Sequence, residues 1–558
     1  MSTTSSTSRE KLAKTPATGS SNETSGGMDR QRLTLLFITL MVVMLLASLS
    51  QMVLSSALPT IVGELNGVEH MTWVITAYLL ASTVMMPIYG KVSDVVGRKP
   101  MLLVAITLFV AGSVVGGLAS SMDVLIIARV VQGLGGGGLM ILSQAAIADV
   151  VPARERGKYM GILGGVFAVS SVAGPLLGGW FTEGPGWRWS FWMNVPLGIL
   201  AVLAVAILMK LPAKGFTEKS RVDFFGMALL VVTTTGLILI GTWGGSMYDW
   251  ASPQIISLAV GTLVFGALFV FAQSKAAEPV MPLFLFRDRT FTLATVAGLL
   301  IAVAMFGAMG YLPTYFQMAA GASATEAGLL MIPLMGALLV TSVGTGQLIS
   351  ATGRYKALPI IGTSILAVSL ALLSTVTIDT PVAIICVYLG LMGVGLGGSM
   401  QILTLIVQNS FPHTMVGTAT AANNYFRQVG GSLGAAVVGS VFASRLTELL
   451  AEKLPAGTGS DGGTHSITPA IVSALPDAIR IPIIESYNEA LIPIFVYMVP
   501  LALIAVVLLC FIPEKPLVTR ISKEIPAESL AEGQLLMTEA EDAKVAPVST
   551  QDVTKQKN

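Results

Sequence analysis

Two charged side chains, Arg129 and Arg427, lie well inside long apolar stretches of the sequence. A guanidinium keeps its proton under ordinary conditions, so it can bind an anion, pair with an acid or lower the pKa of a neighbouring acid. A charge at the centre of a bilayer costs roughly 2.5–3.5 kcal/mol on insertion scales. These two cations therefore indicate that something polar is handled within an apolar environment.

The composition is typical of a membrane protein. Of the 558 residues, 53% are hydrophobic and 11% are charged, whereas a soluble domain carries about 25% charged residues. The 58 Gly and 27 Met favour close helix packing and an adaptable apolar lining. The net charge of +1 gives no indication of a nucleic-acid partner. We find no metal-ligand spacing, nucleotide-binding loop or nucleophile motif, so no enzyme, cofactor or metal is predicted.

Fourteen apolar stretches are long enough to cross a bilayer as helices. An even number of spans places both ends of the chain on one face. Of the 32 Lys and Arg, 26 fall in segments on that face, 4 fall on the other, and two are the arginines above. The positive-inside rule then predicts a multi-pass protein of the cell membrane with both termini in the cytoplasm. The predicted spans are 33–56, 71–90, 100–119, 124–147, 159–180, 190–210, 224–244, 254–273, 291–313, 327–348, 357–376, 381–405, 417–443 and 489–512.

An internal repeat divides these spans. Gly90, Gly97 and Arg98 recur as Gly346, Gly353 and Arg354, offset by 256, while Pro152, Gly157 and Gly174 recur as Pro412, Gly417 and Gly434, offset by 260. Two similar six-helix halves are the architecture of transporters that rock around a central site. The predicted organisation is an N-terminal bundle over 30–212, two inserted helices with linkers over 213–288, and a C-terminal bundle over 289–512. A disordered cytoplasmic tail, 1–29, is predicted to precede these bundles, and a cytoplasmic tail, 513–558, is predicted to follow them. The external segment 444–488 is predicted to be a spacer, with a small cap or interfacial helix as the alternative.

A short charged loop between the second and third spans could act as a conformational gate. It reads GKVSDVVGRKP and contains Gly90, Asp94, Gly97, Arg98 and Lys99. The glycines allow a tight turn, and Asp94 can pair with Arg98 or reach a neighbouring helix end. Such contacts can hold one conformation and release it in another. A tight turn that only sets topology is the alternative.

These motifs resemble the major facilitator superfamily. The charged loop is similar to the family signature G-x-x-x-D-x-x-G-R-[KR], and Arg129, Gln132, Gly133 and Gly135 are similar to its R-x-x-Q-G-x-G motif. The stretches WVITAYLL, WRWSFWMNVPLG, YLPTYFQ and FRQVGGSLG are similar to its fourteen-helix drug:proton antiporter branch. The resemblance implies a major facilitator fold of two six-helix bundles plus two inserted helices, alternating access, and proton-driven export of amphiphilic compounds.

The resemblance also implies roles for individual residues. Arg129 would take part in proton coupling, with a structural pair to backbone carbonyls, Gln51 or Gln144 as the alternative. Span 5 is similar to the family's antiporter motif and would seal the outer half of the pathway with Gly174, Pro175, Gly178 and Gly179. The polar stripe of span 13 is expected to face a cavity rather than lipid. The candidate cavity residues are Gln51, Tyr78, Gln144, Tyr311, Gln317, Asn423, Asn424 and Arg427.

The sequence departs from the family at one position. Related antiporters often carry an acid in span 1, where this chain has Ser50. The remaining candidate proton carriers, Asp149 and Glu326, lie at span ends, and each could equally be a solvated helix end. A pathway with two arginines and no central acid favours neutral or anionic amphiphiles over multiply charged cations.

Three functions remain open at this point. The first is a proton-coupled multidrug exporter, acting as a monomer on small amphiphilic substrates. The second is an exporter or flippase of lipid or another endogenous amphiphile with weak or unusual proton coupling. A receptor or scaffold is disfavoured, because a static binder needs neither seal nor hinge.

Overall fold

The computed structural model describes residues 30–65, 67, 70–209, 223–245, 247–319, 321–453, 472 and 475–517. The predicted tail 1–29, the linker residues 213–222 and most of the predicted tail 513–558 lie outside the described residues. Thirteen helical segments of the described chain are long and apolar enough to cross a bilayer. Ala357–Leu373 is a shorter apolar helix of 17 residues that lies where the eleventh span is predicted. The prediction of an all-helical membrane protein is confirmed.

The described helices follow the predicted spans closely. They are α1 Arg30–Glu64, α2 Met71–Val96, α3 Arg98–Gly117, α4 Met122–Val150, α5 Ala153–Glu183, α6 Trp189–Trp192, α7 Asn194–Leu208, α8 Phe224–Trp243, α9 Pro253–Lys275, α10 Arg289–Met309, α11 Leu312–Ala319, α12 Ala324–Leu330, α13 Ile332–Thr352, α14 Ala357–Leu373, α15 Val382–Gly397, α16 Met400–Ser410, α17 Val416–Lys453, α18 Asp477–Leu491 and α19 Ile494–Cys510.

Polar side chains fix the starts of several helices in an otherwise apolar chain. The carboxylates of Asp223 and Asp288 accept backbone N–H bonds at the starts of α8 and α10, and the Ser252 hydroxyl does so at α9. These caps satisfy N–H groups that have no partner within the helix. Each inserted helix therefore begins at a residue that the sequence specifies locally.

The helices form two groups that pack mainly within themselves. In the first half, α1 to α7, α4 packs against α2 and α3, and α5 packs against α1. In the second half, α10 to α19, α17 packs against α10 and α13 against α15. The inserted helices α8 and α9 pack on each other, and α8 also contacts α2 and α17. This arrangement leaves α2, α5, α13 and α17 along the boundary between the halves.

The segment predicted as an external spacer is helical at both ends. Helix α17 continues to Lys453, ten residues beyond the predicted end of span 13, and α18 begins at Asp477. The two helices are held together by apolar and aromatic contacts, since Phe442 lies 4.8 Å from Tyr487 between ring centroids. Leu446 and Leu450 are buried as well. The spacer prediction is therefore wrong for the described part of 444–488, because the apolar residues within this polar stretch fall on helical faces.

Candidate functional site

The charged loop joins the two halves at the face where α1 begins and α19 ends, which we call the terminal face. The Asp94 carboxylate accepts hydrogen bonds from the backbone N–H and the hydroxyl of Thr418, at 2.7 and 2.6 Å. Thr418 lies in the first turn of α17, so a first-half carboxylate accepts a backbone N–H bond at the start of a second-half helix. Asp94 also forms an ion pair with Arg98. Both interactions expected of Asp94 are therefore present.

Arg98, in the first half, contacts several polar side chains beside Asp94. It is buried, with 4% of its surface exposed. Its Nε donates to Asp149 at 3.0 Å, and its Nη1 donates to Ser93. Asp149 is thus a member of the charged cluster at the terminal face and does not lie near Arg129. Lys99 instead donates to the Ala206 carbonyl of α7 at 2.6 Å, within the first half.

Two glycine contacts close the terminal face, and the sequence repeat relates them to each other. A Cβ atom placed on Gly90 would lie 2.9 Å from the Gly417 carbonyl oxygen. A Cβ atom on Gly157 would lie 3.0 Å from the Gly346 carbonyl oxygen. Gly90 repeats as Gly346, and Gly157 repeats as Gly417. The contact of α2 with α17 is therefore equivalent, by the repeat, to the contact of α13 with α5. The repeat thus relates the two contacts between the halves to each other.

One glycine of the loop has a different role from the one expected. Gly97 has a φ of 107°, which lies in the left-handed region and suits the tight turn between α2 and α3. Gly90 lies inside α2, not in the turn. It is required because α17 approaches the α2 backbone closely. The prediction of a turn at Gly90 is wrong, since a glycine in sequence does not distinguish a turn from a close helix contact.

Helices α5 and α13 strengthen the closure beside these glycines. The Ser342 hydroxyl donates to the Gly161 carbonyl at 3.0 Å, which joins the two helices across the boundary. At the helix ends, Arg154 donates to the Ser350 and Ala351 carbonyls at 3.3 and 3.2 Å. The terminal face is therefore closed by side chain-to-backbone bonds and by close backbone contact.

A central cavity of about 110 Å³ lies beyond this closure. Both halves line it, and its walls are mostly apolar with a few amides and one cation. Met side chains adapt to ligands of different shape. The lining comprises Met44, Met86, Met140, Ile141, Gln144, Leu163, Gly164, Phe167, Met305, Phe306, Leu338, Ser342, Leu396, Gly397, Met400, Gln401, Asn424, Arg427 and Gln428.

A chain of polar contacts crosses this cavity between the halves. Arg427 donates to the Asn424 side-chain oxygen, and Asn424 donates to the Gln144 side-chain oxygen at 3.0 Å. Gln408 of α16 adds a longer bond of 3.4 Å to the Gln144 backbone carbonyl. No acid of the described residues forms an ion pair with Arg427. The cavity therefore offers one cation and several amides to a bound molecule.

Arg129 is sealed inside the first half. Only 1% of its surface is exposed, and its Nη1 and Nε donate to the Gln132 side chain and the Val74 carbonyl at 2.5 and 3.1 Å. Its guanidinium carbon lies 4.2 Å from the Tyr78 ring centroid. The structure thus shows the alternative of a pair with a backbone carbonyl and a glutamine, although the glutamine is Gln132 and not Gln51 or Gln144.

Ser50 completes this buried network. Its hydroxyl accepts bonds from Gln132 at 3.0 Å and from Asn194 at 3.1 Å. Gln132 also donates to Ser113 at 2.9 Å. Where related antiporters often carry an acid, this chain has a neutral acceptor that links α1, α4 and α7.

The glycines of the proposed outer seal differ in their surroundings. A Cβ atom on Gly174 would overlap Met52, and one on Gly178 would lie 2.5 Å from the Val53 carbonyl oxygen. Both contacts are with α1, inside the first half. Gly179 has open space around it, and Pro175 lies within the continuous helix α5. The role of this stretch as a seal stays a prediction.

The remaining candidate residues lie in separate places. Asn423 donates to Thr295 at 3.2 Å inside the second half, and Gln317 donates to the Pro313 carbonyl at 3.3 Å. Tyr311 lies further from the terminal face and donates to the Ala435 carbonyl at 3.0 Å. Glu326 is exposed and closes a capping box with Ser323, which is the solvated helix end considered above. Of the eight candidates for a shared cavity, only Gln144, Asn424 and Arg427 line the central one.

Sequence reasoning missed several residues of this site. Thr418 follows Gly417 at the start of α17, and the N-cap-like preference of Thr for helix starts is the signal that could have found it. Gln401 and Ser342 line the cavity, but short polar residues within apolar spans are too frequent to single out. The high methionine content is the only sequence signal for the apolar lining.

Two helical halves that share a cavity and are closed at one face define a membrane transport protein. The sequence comparison agrees with this architecture, since a family model described as Major Facilitator Superfamily matches residues 40–435. The chain belongs to the major facilitator superfamily.

Named relatives are transporters of this family. The uncharacterized MFS-type transporter Rv1877 of Mycobacterium tuberculosis is 39% identical over 486 residues, which are 87% of this chain and 70% of that protein. The multidrug transporter protein MdtP of Bacillus subtilis is 36% identical over 421 residues, 75% of this chain and 77% of that protein. Efflux pump FUS6 of Gibberella fujikuroi is 32% identical over 472 residues, 82% of this chain and 85% of that protein.

Solved structures share the fold at low sequence identity. The human organic anion transporter MFSD10 superposes with a TM-score of 0.58 at 14% identity and covers 86% of this chain and 100% of its own. The proton:xylose symporter XylE superposes with a TM-score of 0.55 at 16% identity, covering 88% of this chain and 98% of its own. These likenesses support the fold.

Proposed function

We propose that this transporter exports amphiphilic compounds from the cytoplasm by alternating access, driven by proton entry. The observation that carries the proposal is the central cavity, which both halves line and which is closed at the terminal face by contacts between the halves. The names of relatives such as MdtP support the class of substrate. In this proposal the terminal face is cytoplasmic and the protein acts as a monomer in the cell membrane, since one chain supplies the whole cavity.

The contacts that close the terminal face suggest how proton binding is linked to opening of this face. Opening requires Asp94 to leave the start of α17 and requires the paired glycines to separate. Loss of the charge on Asp94 by proton binding would weaken its ion pair with Arg98. We therefore assign proton coupling to this cluster in preference to Arg129, whose partners are all inside the first half.

The electrostatics of the central cavity favour neutral or anionic substrates. Arg427 lies in the lining without an ion pair to a described acid, so a dication would meet uncompensated repulsion. An amphiphile with one negative group would gain a charge-assisted hydrogen bond. The cavity of about 110 Å³ is smaller than common ligand pockets of about 300–1,000 Å³. The substrate-loaded state therefore requires the halves to move apart around it.

The test is transport by purified protein in liposomes, with and without an imposed pH gradient. Anionic, neutral and dicationic dyes of similar size are compared, with a fluorescent lipid as a fourth substrate. We expect the gradient to stimulate export of the anionic and neutral dyes. Preferential export of the dication contradicts the electrostatic argument, and absence of stimulation by the gradient contradicts proton coupling.

Matched variants separate the parts of this proposal. Arg427→Gln should lower export of the anionic dye by roughly tenfold, the loss of one charged hydrogen bond, and should leave the neutral dye nearly unchanged. Arg445→Gln, at an exposed position of the same helix, is its control. Asp149→Asn should reduce the effect of the pH gradient, whereas Glu326→Gln should not. An equal loss in the last two variants would contradict the assignment to the charged cluster.

The second candidate function is export or flipping of lipid. The absence of an acid at Ser50 and the apolar, methionine-rich cavity favour it. Transport of the fluorescent lipid at a rate independent of the pH gradient, with slow transport of the dyes, would support this function over drug export.

A further inference from the structure

A second and larger cavity lies away from the terminal face, and we call it the distal cavity. Its volume is about 450 Å³, within the range of common ligand sites. It opens between the first part of α2 and the later part of α17, which are in close contact at their other ends. It shares no lining residue with the central cavity. The lining comprises Thr72, Leu79, Gly241, Thr242, Gly244, Gly245, Tyr311, Met318, Ser432, Ala435, Ala436, Gly439, Ser440, Phe442, Ala443, Leu446, Leu450, Ile483 and Tyr487.

The lining identifies the chemistry of a ligand. None of these described lining residues is charged, so a charged group would lose its hydration without a partner. Three rings form a cluster at one end, where Phe442 lies 5.8 Å from Tyr311 and 4.8 Å from Tyr487 between centroids. An aromatic ring of a ligand would pack well against these three rings in an edge-to-face or offset arrangement. Hydroxyl groups of Ser432, Ser440 and Thr72 supply polar contacts. The fitting ligand is an uncharged aromatic amphiphile.

The inserted helices build one wall of the distal cavity. A Cβ atom on Gly241 of α8 would lie 3.2 Å from the Ala436 side chain of α17. After α8 the chain turns at Gly245, whose φ is 72°, and Trp250 donates from its ring nitrogen to the Ser440 hydroxyl at 2.5 Å. The insertion therefore supplies one side of a space that lies between α2 and α17.

Aromatic packing anchors this wall to the first half as well. Trp243 at the end of α8 lies 5.9 Å from Trp73 of α2 and 6.0 Å from Tyr248, between ring centroids in edge-to-face geometry. The wall thus contacts α2 on one side and α17 on the other. A gap filled loosely by lipid chains would not require these specific ring contacts and hydrogen bonds.

We propose that the distal cavity is a binding site for an uncharged aromatic amphiphile, separate from the central cavity and formed with the inserted helix α8. The site follows from the geometry of the cavity and does not depend on the direction or energy source of transport. Binding can therefore be measured in protein that is not transporting.

The experiment uses the full-length protein in lipid nanodiscs and photo-crosslinking with 4-benzoylbenzyl alcohol, an uncharged diaryl ketone. Mass spectrometry locates the modified residues. We expect modification on α17 between 432 and 450, on α8 and on Tyr487, and we expect excess biphenyl-4-methanol to suppress it. Modification confined to lipid-facing residues, or unaffected by the competitor, would show that only the bilayer solvates the probe and would overturn the proposal.

Two substitutions on one helix provide the decisive contrast. Ala443→Trp fills the cavity and should lower competitor-sensitive crosslinking at least about tenfold, which corresponds to about 1.4 kcal/mol. Val441→Trp adds the same ring at a position that is 42% exposed and does not line the cavity, and it should leave crosslinking unchanged. Retained crosslinking in Ala443→Trp overturns the site. If Ala443→Trp does not elute as a single species in size exclusion, Leu446→Trp replaces it with the same criteria.

Discussion

Helices α5 and α17 occupy equivalent positions in the two halves, and they agree where the halves touch but differ where they face the cavity. Gly157 and Gly417 are related by the repeat, and each contacts a helix of the other half. Further along, α17 presents Asn424 and Arg427 to the central cavity, where α5 presents Gly164 and Phe167 at the related positions. The fold repeats the contacts that close the terminal face, whereas most polar residues that line the cavity, with the exception of Gln144, belong to the second half.

The two arginines also differ in their distance from the boundary between the halves. Arg129 is held by groups of its own half and lies away from the boundary. Arg427 lies on the boundary, where its neighbour Asn424 reaches Gln144 of the other half. A charge paired within one rigid half keeps its partners while the halves rock. Arg427 is also held by a group of its own half, Asn424, but it lines the central cavity and its surroundings change when Gln144 moves away.

A second comparison of α5 with α17 leads to the prediction with the largest effect. In the first half, Gly178 of α5 leaves room for Ser56 of α1. In the second half the sizes are reversed, because a Cβ atom placed on Gly307 of α10 would lie 2.8 Å from a methyl group of Val438 of α17. The contact between these helices thus has its small residue on α5 in the first half and on α10 in the second half.

Gly178→Leu should reduce transport to background while membrane insertion is retained, because a bulky side chain forces α1 away from α5 at a cost of roughly 1–3 kcal/mol. Gly179→Leu is the matched control, since Gly179 has open space around it. Transport in liposomes and the quantity of folded protein in the membrane are the measurements. Normal transport in Gly178→Leu would contradict the requirement for close packing at the predicted seal.

A rescue sharpens this result. The double variant Gly178→Val with Ser56→Gly places the larger residue on α5 and the smaller one on α1, which is the arrangement of Val438 and Gly307 in the second half. This double variant should recover part of the transport that is lost in Gly178→Val alone. Recovery would show that packing volume is the requirement. No recovery would show that Ser56 or Gly178 has a role that the second half does not share.

The second prediction tests the equivalence of α5 and α17 at the terminal face. Gly157→Leu places a side chain against the Gly346 backbone of the other half, and Gly417→Leu places one against the Arg98 and Asp94 side chains of the other half. Each should therefore disfavour the closed state by roughly 1–3 kcal/mol, or 5–150-fold. Export should fall by similar factors in both. Gly344→Leu, on α13 with open space around it, is the control.

Accessibility provides the second measurement for these variants. A single cysteine at Ser342, in the contact between α5 and α13, should react faster with a thiol reagent added from the cytoplasmic side when either glycine is replaced. The native Cys386 and Cys510 are first replaced by serine. Unequal effects of the two glycine variants would break the proposed symmetry of closure and would make one helix pair the dominant gate.

The fold could be predicted from the sequence because each bilayer crossing requires a long apolar helix with satisfied backbone groups. The glycine repeat also indicates two similar halves, but it does not identify which helices meet across the boundary, because a glycine can serve a turn or a close helix contact. These features depend on local composition and on the repeat, both of which can be read directly from one chain.

The details of the site depend on helix rotation, which composition does not determine. Gln132 rather than Gln51 or Gln144 pairs with Arg129, because the side chain three residues along the same helix is already aligned with it. The distal cavity was not predicted, since its walls come from α2, α8 and α17, which are far apart in sequence. The helical ends of 444–488 were missed because their polar faces obscure the apolar ones.

The smallest predicted effect compares one hydrogen bond between the halves with one inside a half. Gln144 and Asn424 are joined at 3.0 Å across the boundary, whereas the Ser48 and Ser170 hydroxyls are joined at 2.7 Å between α1 and α5. Double-mutant cycles to alanine, measured by unfolding in detergent, should give a coupling of about 0.5–1.5 kcal/mol for each pair.

The cycles become informative when they are repeated in the Gly417→Leu background, which disfavours closure of the terminal face. The Ser48–Ser170 coupling should persist, because both residues move with the first half. The Gln144–Asn424 coupling should shrink, because it exists only while α4 and α17 are in contact at the centre. An unchanged Gln144–Asn424 coupling would mean that this bond survives opening, and it would contradict the assignment of this bond to the closed state.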